Sequence, residues 1–386
     1  MAFTGKATYS AGDSMPERTE NISDIVSIVS PYETPLLDHL GDPPRAATST
    51  YHEWLEDELL PNTDVIDDDS WTDPAADTTF GTEHADRFRV GDQVRPAGSG
   101  ELLLVTAVDT GNDTITVTRG YGGTTAEDLA DDQVLHILGN AALEGDDAPS
   151  VRFTNRVRNG NWTQIFTAAV RVSGSKLAVR NLAVADELDY QKQERLRELL
   201  RDLESTVING ASPSSNPQGS ETVRRTMKGI IPSLTTNIFK PGIGGLPADT
   251  DLTEVQLDTA LHLMWERSTG CVDTIVVGGL QKRRINSFIS SSRAYGPNDV
   301  AYRDLVGMYE SDFGTCRVIL CRHIPADTVL LLDSSRIAVL PLAGRSFHYK
   351  PLASTGDYEA GEIIGEYTLE FRNENAHGMI TGLSTD

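Results

Sequence analysis

Between Lys6 and Lys176 the sequence has no lysine, and its seven lysines stand against 26 arginines in 386 residues. No amine nucleophile is therefore available in that stretch, and arginine cannot replace it, because the guanidinium stays protonated. Cysteine is scarce too: Cys271, Cys316 and Cys321 are an odd number with no CxxC pair, which fits small buried hydrophobes in a reducing compartment better than a metal site or a disulfide. Long apolar runs are missing. The longest, such as Val329–Leu332, are strand-sized, and no window approaches a membrane span. The start, Met1-Ala2-Phe3-Thr4-Gly5-Lys6, lacks the charged-then-apolar layout of a signal peptide, so the protein is expected to stay in the cytoplasm where it is made. Positive charge is short: a net charge of −24 argues against tight nucleic-acid binding, which needs a basic face. The plain reading of that charge is solubility.

Catalytic fingerprints are missing as well. There is no Gly-x-Ser-x-Gly elbow, Walker loop or dinucleotide-binding glycine motif. His52-Glu53-Trp54-Leu55-Glu56 resembles a zinc-protease helix but has Glu56 where the second histidine is needed. Asp64, Asp67, Asp68 and Asp69 lack the spacing and the glycine of a calcium loop, so they read as an exposed acidic run. His262, His323, His348 and His377 are scattered singly. No catalytic, metal or cofactor residue is assigned, and the chain points toward assembly rather than catalysis.

What is present is mixed α and β. Ser23 is placed to cap a short helix that runs to Val29 and stops at Pro31, and Pro35, Pro43 and Pro44 keep the next stretch extended. From about 86 to 145 come short strands parted by turns: Val90–Val94, Glu101–Val108, Thr114–Arg119 and Val134–Leu138. They predict a small barrel or sandwich. Gly120, Gly122 and Gly123 mark a tight turn. The strongest helix spans about 184–208, where Leu196, Leu199, Leu200, Leu203 and Val207 form an apolar stripe and Asn209-Gly210 ends it. An α/β unit follows over 226–335, with helices at Thr253–Arg267 and Gln281–Ser290 and strands at Thr274–Val277, Arg317–Cys321 and Val329–Leu332. Near the end, Gly365–Gly378 alternates polar and apolar residues, a long strand with one buried face.

Charge is segregated. Residues 51–80 hold ten acids and no Lys or Arg, and residues 148–185 hold six basic residues and no acids. Either these are two solvated loops, or they are two arms of one long excursion that pair with each other or with a neighbouring subunit. The aromatics on both arms favour contact surfaces. The candidate contact residues are Trp54, Glu56, Asp57, Glu58 and Trp71 on the acidic arm, and Arg152, Arg156, Arg158 and Trp162 on the basic arm.

Three segments also resemble a known family. They are Asn21–Leu37 (NISDIVSIVSPYETPLL), Val170–Gly174 followed by a helix with Asp186–Lys192, and the closing Gly365–Gly378 (GEYTLEFRNENAHG). In order and separation they are similar to tailed-bacteriophage major capsid proteins, across nearly the whole chain. The resemblance implies an α+β fold of the Hong Kong 97 type, shared with encapsulins. It divides the chain into an N-terminal arm (1–50), an extended loop (51–172) with the β insert, a peripheral domain (173–225 and 336–386) with a spine helix, and an axial domain (226–335). It implies a non-enzymatic shell protein: hexamers and pentamers close into an icosahedral head around double-stranded DNA, in the virion, after assembly in the host cytoplasm. It implies no cofactor and no membrane, a portal protein as partner, and room for separate scaffold and decoration proteins. Some relatives weld the shell through a loop lysine and an asparagine of a neighbour; without a lysine over 51–172, a non-covalent shell is expected. Two other readings stay open: an encapsulin-like cellular compartment, and a metal-dependent hydrolase that uses the acidic run.

Overall fold

The computed structural model describes residues 33–41, 43–57, 59–145, 154, 156–178, 186–268, 270–292 and 307–385. The expected helix from Ser23 to Val29, most of the arm, Glu58 and Arg152 lie outside them. The chain divides into two units, one of residues 1–54 with 158–386 and one of residues 55–157.

The first unit opens with α1 (Pro35–Leu40), burying Leu36; Pro35 begins this helix instead of keeping the chain extended, because a proline's missing N–H is not needed in the first turn. Strand β1 (Tyr51–Glu56) follows.

The second unit is built on β2 (Thr63–Val65), β3 (Thr79–Gly81), β4 (Asp92–Pro96), β5 (Leu103–Asp109), β6 (Thr114–Thr118) and β7 (Val134–Asn140). They form one antiparallel sheet in the order β2-β7-β4-β5-β6-β3. An isolated bridge between Ile66 and Thr82 joins its two edges, so the sheet curls toward a closed barrel and leaves little free edge. Bulges at Gln93/Val94 and between Val105 and Ala107 supply the bend. Inside lie Ile66, Phe80, Val94, Leu103, Val105, Ile115, Val117 and Leu135. The sheet draws in two short strands from 63–81, residues that sequence reasoning gives to the acidic arm. Trp71 goes with them, packing on Phe80 at 5.5 Å between ring centroids. The unit also concentrates charge: residues 55–157 carry 22 acids and six arginines, two-thirds of the net −24.

Back in the first unit come β8 (Val157–Trp162), β9 (Gln164–Ser173), α2 (Gly174–Ala178), α3 (Glu187–Asn209), α4 (Ile230–Ser233), β10 (Ile238–Phe239), α5 (Glu254–Arg267), β11 (Thr274–Val277) and α6 (Gly279–Ser292). Then follow β12 (Met308–Ser311), β13 (Gly314–Leu320), β14 (Val329–Leu332), β15 (Ile337–Pro341), β16 (His348–Leu352), β17 (Tyr358–Phe371) and β18 (Gly378–Ile380). Strands β1 and β8 pair as a ribbon. The long β17 is the spine of a second sheet, flanked by β9 on one side and by β15 and β16. A third sheet runs β10-β18-β14-β11-β13-β12, so the C-terminal strand leaves the sheet of β17 and joins the α/β unit.

Helix α3 starts at Asp186, whose carboxylate accepts the amides of Leu188 and Asp189. Leu199, Leu203, Val207 and Ile208 are buried against Leu369, Phe371 and Ile363, with Leu196 partly covered. Gly210 closes the helix for a reason other than the one expected. Its φ is −55°, not left-handed; instead a Cβ there would sit 2.5 Å from the Thr206 carbonyl and 2.9 Å from that of Met227. Glycine is required by close backbone approach. The closing strand also departs from expectation. In its second half both faces are buried: Leu369 and Phe371 enter the core, while Glu366, Thr368 and Glu370 are also covered.

Candidate functional site

Two acids on the polar face of β17 need partners, because a buried carboxylate without them is costly. Glu370, 1% exposed, receives Arg45 Nη2 at 2.6 Å and His52 Nε2 at 2.7 Å, and Arg372 Nε lies 3.2 Å away. Glu366 receives Arg225 Nη2 at 2.5 Å and the Thr163 hydroxyl at 2.6 Å, with Arg345 Nε at 2.8 Å. Between them the Thr368 hydroxyl donates to the Trp162 carbonyl at 3.2 Å. The strand thus grips the base of the long loop: His52 on its outgoing strand β1, and Trp162 and Thr163 where it returns.

The return is fixed from a second side. Asn161 Nδ2 donates to the carbonyls of Lys228 and Leu369, at 2.8 and 3.0 Å, and its Oδ1 accepts the amides of Lys228 and Trp162, both at 2.9 Å. Arg225 Nε donates to the Thr163 carbonyl at 2.8 Å. Tyr51 and Trp162 pack across the ribbon at 4.5 Å. A rigid base therefore carries an exposed stem.

The oppositely charged arms meet on that stem. Arg158 Nη1 lies 3.7 Å from Glu53 Oε1, and Arg156 Nε lies 3.7 Å from Asp57 Oδ2. The Thr154 hydroxyl donates to the same Asp57 oxygen at 2.9 Å. Trp54 is half-buried beside His52, and Glu56 is half-buried too. Leu55 and Val157 on the stem, and Leu59 just past it, are exposed.

A second anchor holds α1. Glu204, buried on α3, accepts the amides of Leu36 and Leu37 at 3.2 Å each through Oε2, and the Cys321 thiol at 3.2 Å through Oε1. Desolvation by burial pushes its pKa up, against hydrogen bonds that favour the ionised form. Cys321 is itself pushed up to about 12, chiefly by burial, so it is a thiol donor here and not a nucleophile.

Sequence reasoning misses Glu366, Glu370, Glu204 and Asn161. A faint signal existed: acids at every fourth position of an otherwise apolar strand are either solvated or paired. The same blind spot hides Glu101 in the barrel, whose carboxylate takes both ends of the Arg119 guanidinium at 2.8 Å. Burial alone would raise the Glu101 pKa; Arg119 and the amides of Glu127 and Gly120 hold it below the usual range.

Among the described residues, Asp64, Glu83 and His84 bring possible metal-ligand atoms within 4.8 Å of one another. Arg87 Nη1 at 3.0 Å and the His84 amide at 3.1 Å already satisfy the Asp64 carboxylate. The run Asp67–Asp69 takes no part in that group.

A family model described as SU10 major capsid protein matches residues 3–384. No curated protein matches. Among solved structures the chain is similar to one from Microbacterium phage Oxtober96, at 12% identity and TM-score 0.50 over 95% of this chain and 96% of that one. It is similar to the capsid of an empty GTA particle, at 11% identity and TM-score 0.51 over 99% and 100%. It is also similar to the capsid of Myoviridae phage XM1, at 11% identity and TM-score 0.51 over 97% and 100%. At such identities the likeness is one of fold, the Hong Kong 97-like α+β architecture.

Proposed function

The chain belongs to the SU10 major capsid protein family, and on that premise we propose how its parts divide the work of building a shell. It is a major capsid protein of a bacteriophage: many copies form the capsid, as part of the virion. The single observation that carries this is the family match over residues 3–384, nearly the whole chain.

The finer assignment is our reading. The stem of β1 and β8 is an arm that reaches a neighbouring subunit, presenting Trp54, Asp57, Arg156, Arg158 and the exposed Leu55, Leu59 and Val157. Its base is held by Glu366 and Glu370, which supports the idea that its direction is set before assembly. The acidic barrel sits in the extended loop, and its charge supports a position where it does not bind packaged double-stranded DNA. The first 50 residues serve as an arm docked through Leu36 and Leu37 on the spine helix α3. The sheet of β17 with α3 is the peripheral domain, and the sheet of β11 with α5 and α6 is the axial domain. Hexamers and pentamers then close an icosahedral head in the host cytoplasm, with a portal at one vertex and separate scaffold and decoration proteins as further partners. The family match weighs against the reading as a cellular compartment and against a hydrolase.

Negative-stain microscopy of the expressed full-length protein tests this. Closed shells or ring-shaped capsomers are expected. A protein that stays monomeric in every buffer, with native circular dichroism, overturns the reading.

A further inference from the structure

Trp265 is 63% exposed on α5, an unusual setting for the side chain with most apolar surface to hide. It is not isolated. His262 stacks on it, with centroids 6.4 Å apart and planes 16° off parallel. Phe313, at the turn between β12 and β13, packs against both, at 5.3 Å from His262 and 6.1 Å from Trp265. A helix and a hairpin thus build one aromatic platform. The opposite face of α5 accounts for the fold: Leu257, Ala260, Leu261 and Met264 are buried there. Of the platform, Phe313 also packs against this unit's core, while His262 and Trp265 are exposed.

A carboxylate borders it. Glu266 is exposed one residue on, with Oε1 3.5 Å from His262 Nε2. An aromatic face edged with a carboxylate is built for a guanidinium, which gains from both the ring quadrupole and the negative charge. Helix α6 packs in the same core cluster as α5, through Ile285. Its basic run has three members with different fates. Lys282 is buried with Nζ on the Val318 carbonyl, and Arg284 pairs with Asp251 at 2.8 Å. Arg283 is exposed, and no carboxylate of the described residues lies within ion-pair distance of it.

We propose that the platform of Trp265, His262 and Phe313 receives Arg283 of a second copy, in a head-to-tail contact that repeats from subunit to subunit. The occupant is a second copy because the unit carries both halves of the match, an acid-edged aromatic surface on one helix and an exposed guanidinium on the next. Two different patches on one chain make a heterologous contact, the kind that closes rings. The inference rests on the shell-building function and assigns residues to one of its interfaces.

The test compares full-length wild type with Trp265→Ala, Arg283→Glu and the double variant Arg283→Glu with Glu266→Arg. Shells are counted by negative-stain microscopy and sedimentation, and folding is followed by circular dichroism. Wild type should form shells. Trp265→Ala and Arg283→Glu should keep their fold and lose shells by roughly tenfold, as for removal of an interface hot spot. The double variant should regain most of the yield, because the charges meet again in reverse. Undiminished shells from Trp265→Ala overturn the contact and leave the platform to a different partner, while shells from wild type keep the capsid function intact. A double variant no better than Arg283→Glu also overturns it. If Trp265→Ala alone unfolds, the charge pair decides, since both of its residues are at the surface. Wild type that forms no shell overturns the function, and this contact with it.

Discussion

His52 Nε2 lies 2.7 Å from Glu370 Oε2, so the first strand of the loop stem is held by a strand that arrives 318 residues later. Arg45 and Arg372 complete the carboxylate's shell. Glu370→Ala would leave three cationic or polar groups converging on an empty buried site. A loss of about 3–5 kcal/mol is expected, read by chemical denaturation, together with faster proteolysis at 51–57. Stability within 1 kcal/mol of wild type, by that order-of-magnitude scale, would show that the clamp is idle.

On the spine helix the stripe is graded. Leu199 is 4% exposed, whereas Leu196 is only partly buried. Leu199→Ala should cost ~2–5 kcal/mol, and Leu196→Ala clearly less. Equal losses at both positions would contradict the packing of α3 on β17.

Stability should fall with acid through His377. The ring is fully buried, stacked on Phe371 at 4.3 Å. Its Nδ1 accepts the Asp333 amide, and its Nε2–H donates to the Arg372 carbonyl, each at 3.2 Å. Desolvation pushes its pKa down from 6.5 to about 4. The unfolded chain therefore takes up a proton below pH 6.5 that the folded chain refuses until about pH 4. Stability is full above that window and is lost as pH falls through it, by on the order of 3 kcal/mol. Glu204, whose pKa is raised, acts with the opposite sign. Denaturation midpoints of wild type and His377→Gln across pH 7 to 4 separate the two: the variant should lose less.

Reversing the basic arm should weaken assembly. Exposed pairs such as Arg156–Asp57 and Arg158–Glu53 are worth ~0–1 kcal/mol each; they join the two arms of one stem, so reversing them together splays the element proposed to reach the neighbour. Arg156→Glu with Arg158→Glu, alone or with Arg152→Glu, turns attraction into repulsion that salt screens. Shell yield should drop and then recover as salt is raised. A yield that matches wild type across the whole salt series argues against any part for these charges.

No lysine lies between Lys6 and Lys176. Of the three cysteines expected to be buried, Cys271 is exposed, while Cys316 and Cys321 are buried, each with its pKa pushed up to about 12, chiefly by burial. A shell held by non-covalent contacts is expected. Boiled particles on a denaturing gel should give one band near 42.0 kDa; a ladder that survives reductant would reveal a covalent lock.

Local periodicity made much of this chain legible. The stripe of Leu199, Leu203 and Val207, the strand Thr274–Val277 and the turns around Gly120 and Gly123 are written in neighbours three, four or two residues apart, so the sequence alone determined helix, strands and the α+β class. The segregated charge of 51–80 and 148–185 left open whether the two arms pair, and in the structure Glu53 and Asp57 meet Arg158 and Arg156 while residues 63–81 go to the barrel. Tertiary structure alone decided where Glu366, Glu370 and Glu204 find their partners. A carboxylate in a strand reads as solvated until arginines from distant segments arrive, and Arg45, Arg225 and Arg345 come from three places far apart in the chain. It decided too that Trp71 belongs to a barrel that closes through Ile66 and Thr82, because closure depends on strand order in space. And it decided why Gly210 is glycine: its constraint is the carbonyls of Thr206 and Met227, and the second of these arrives from a segment beyond the helix.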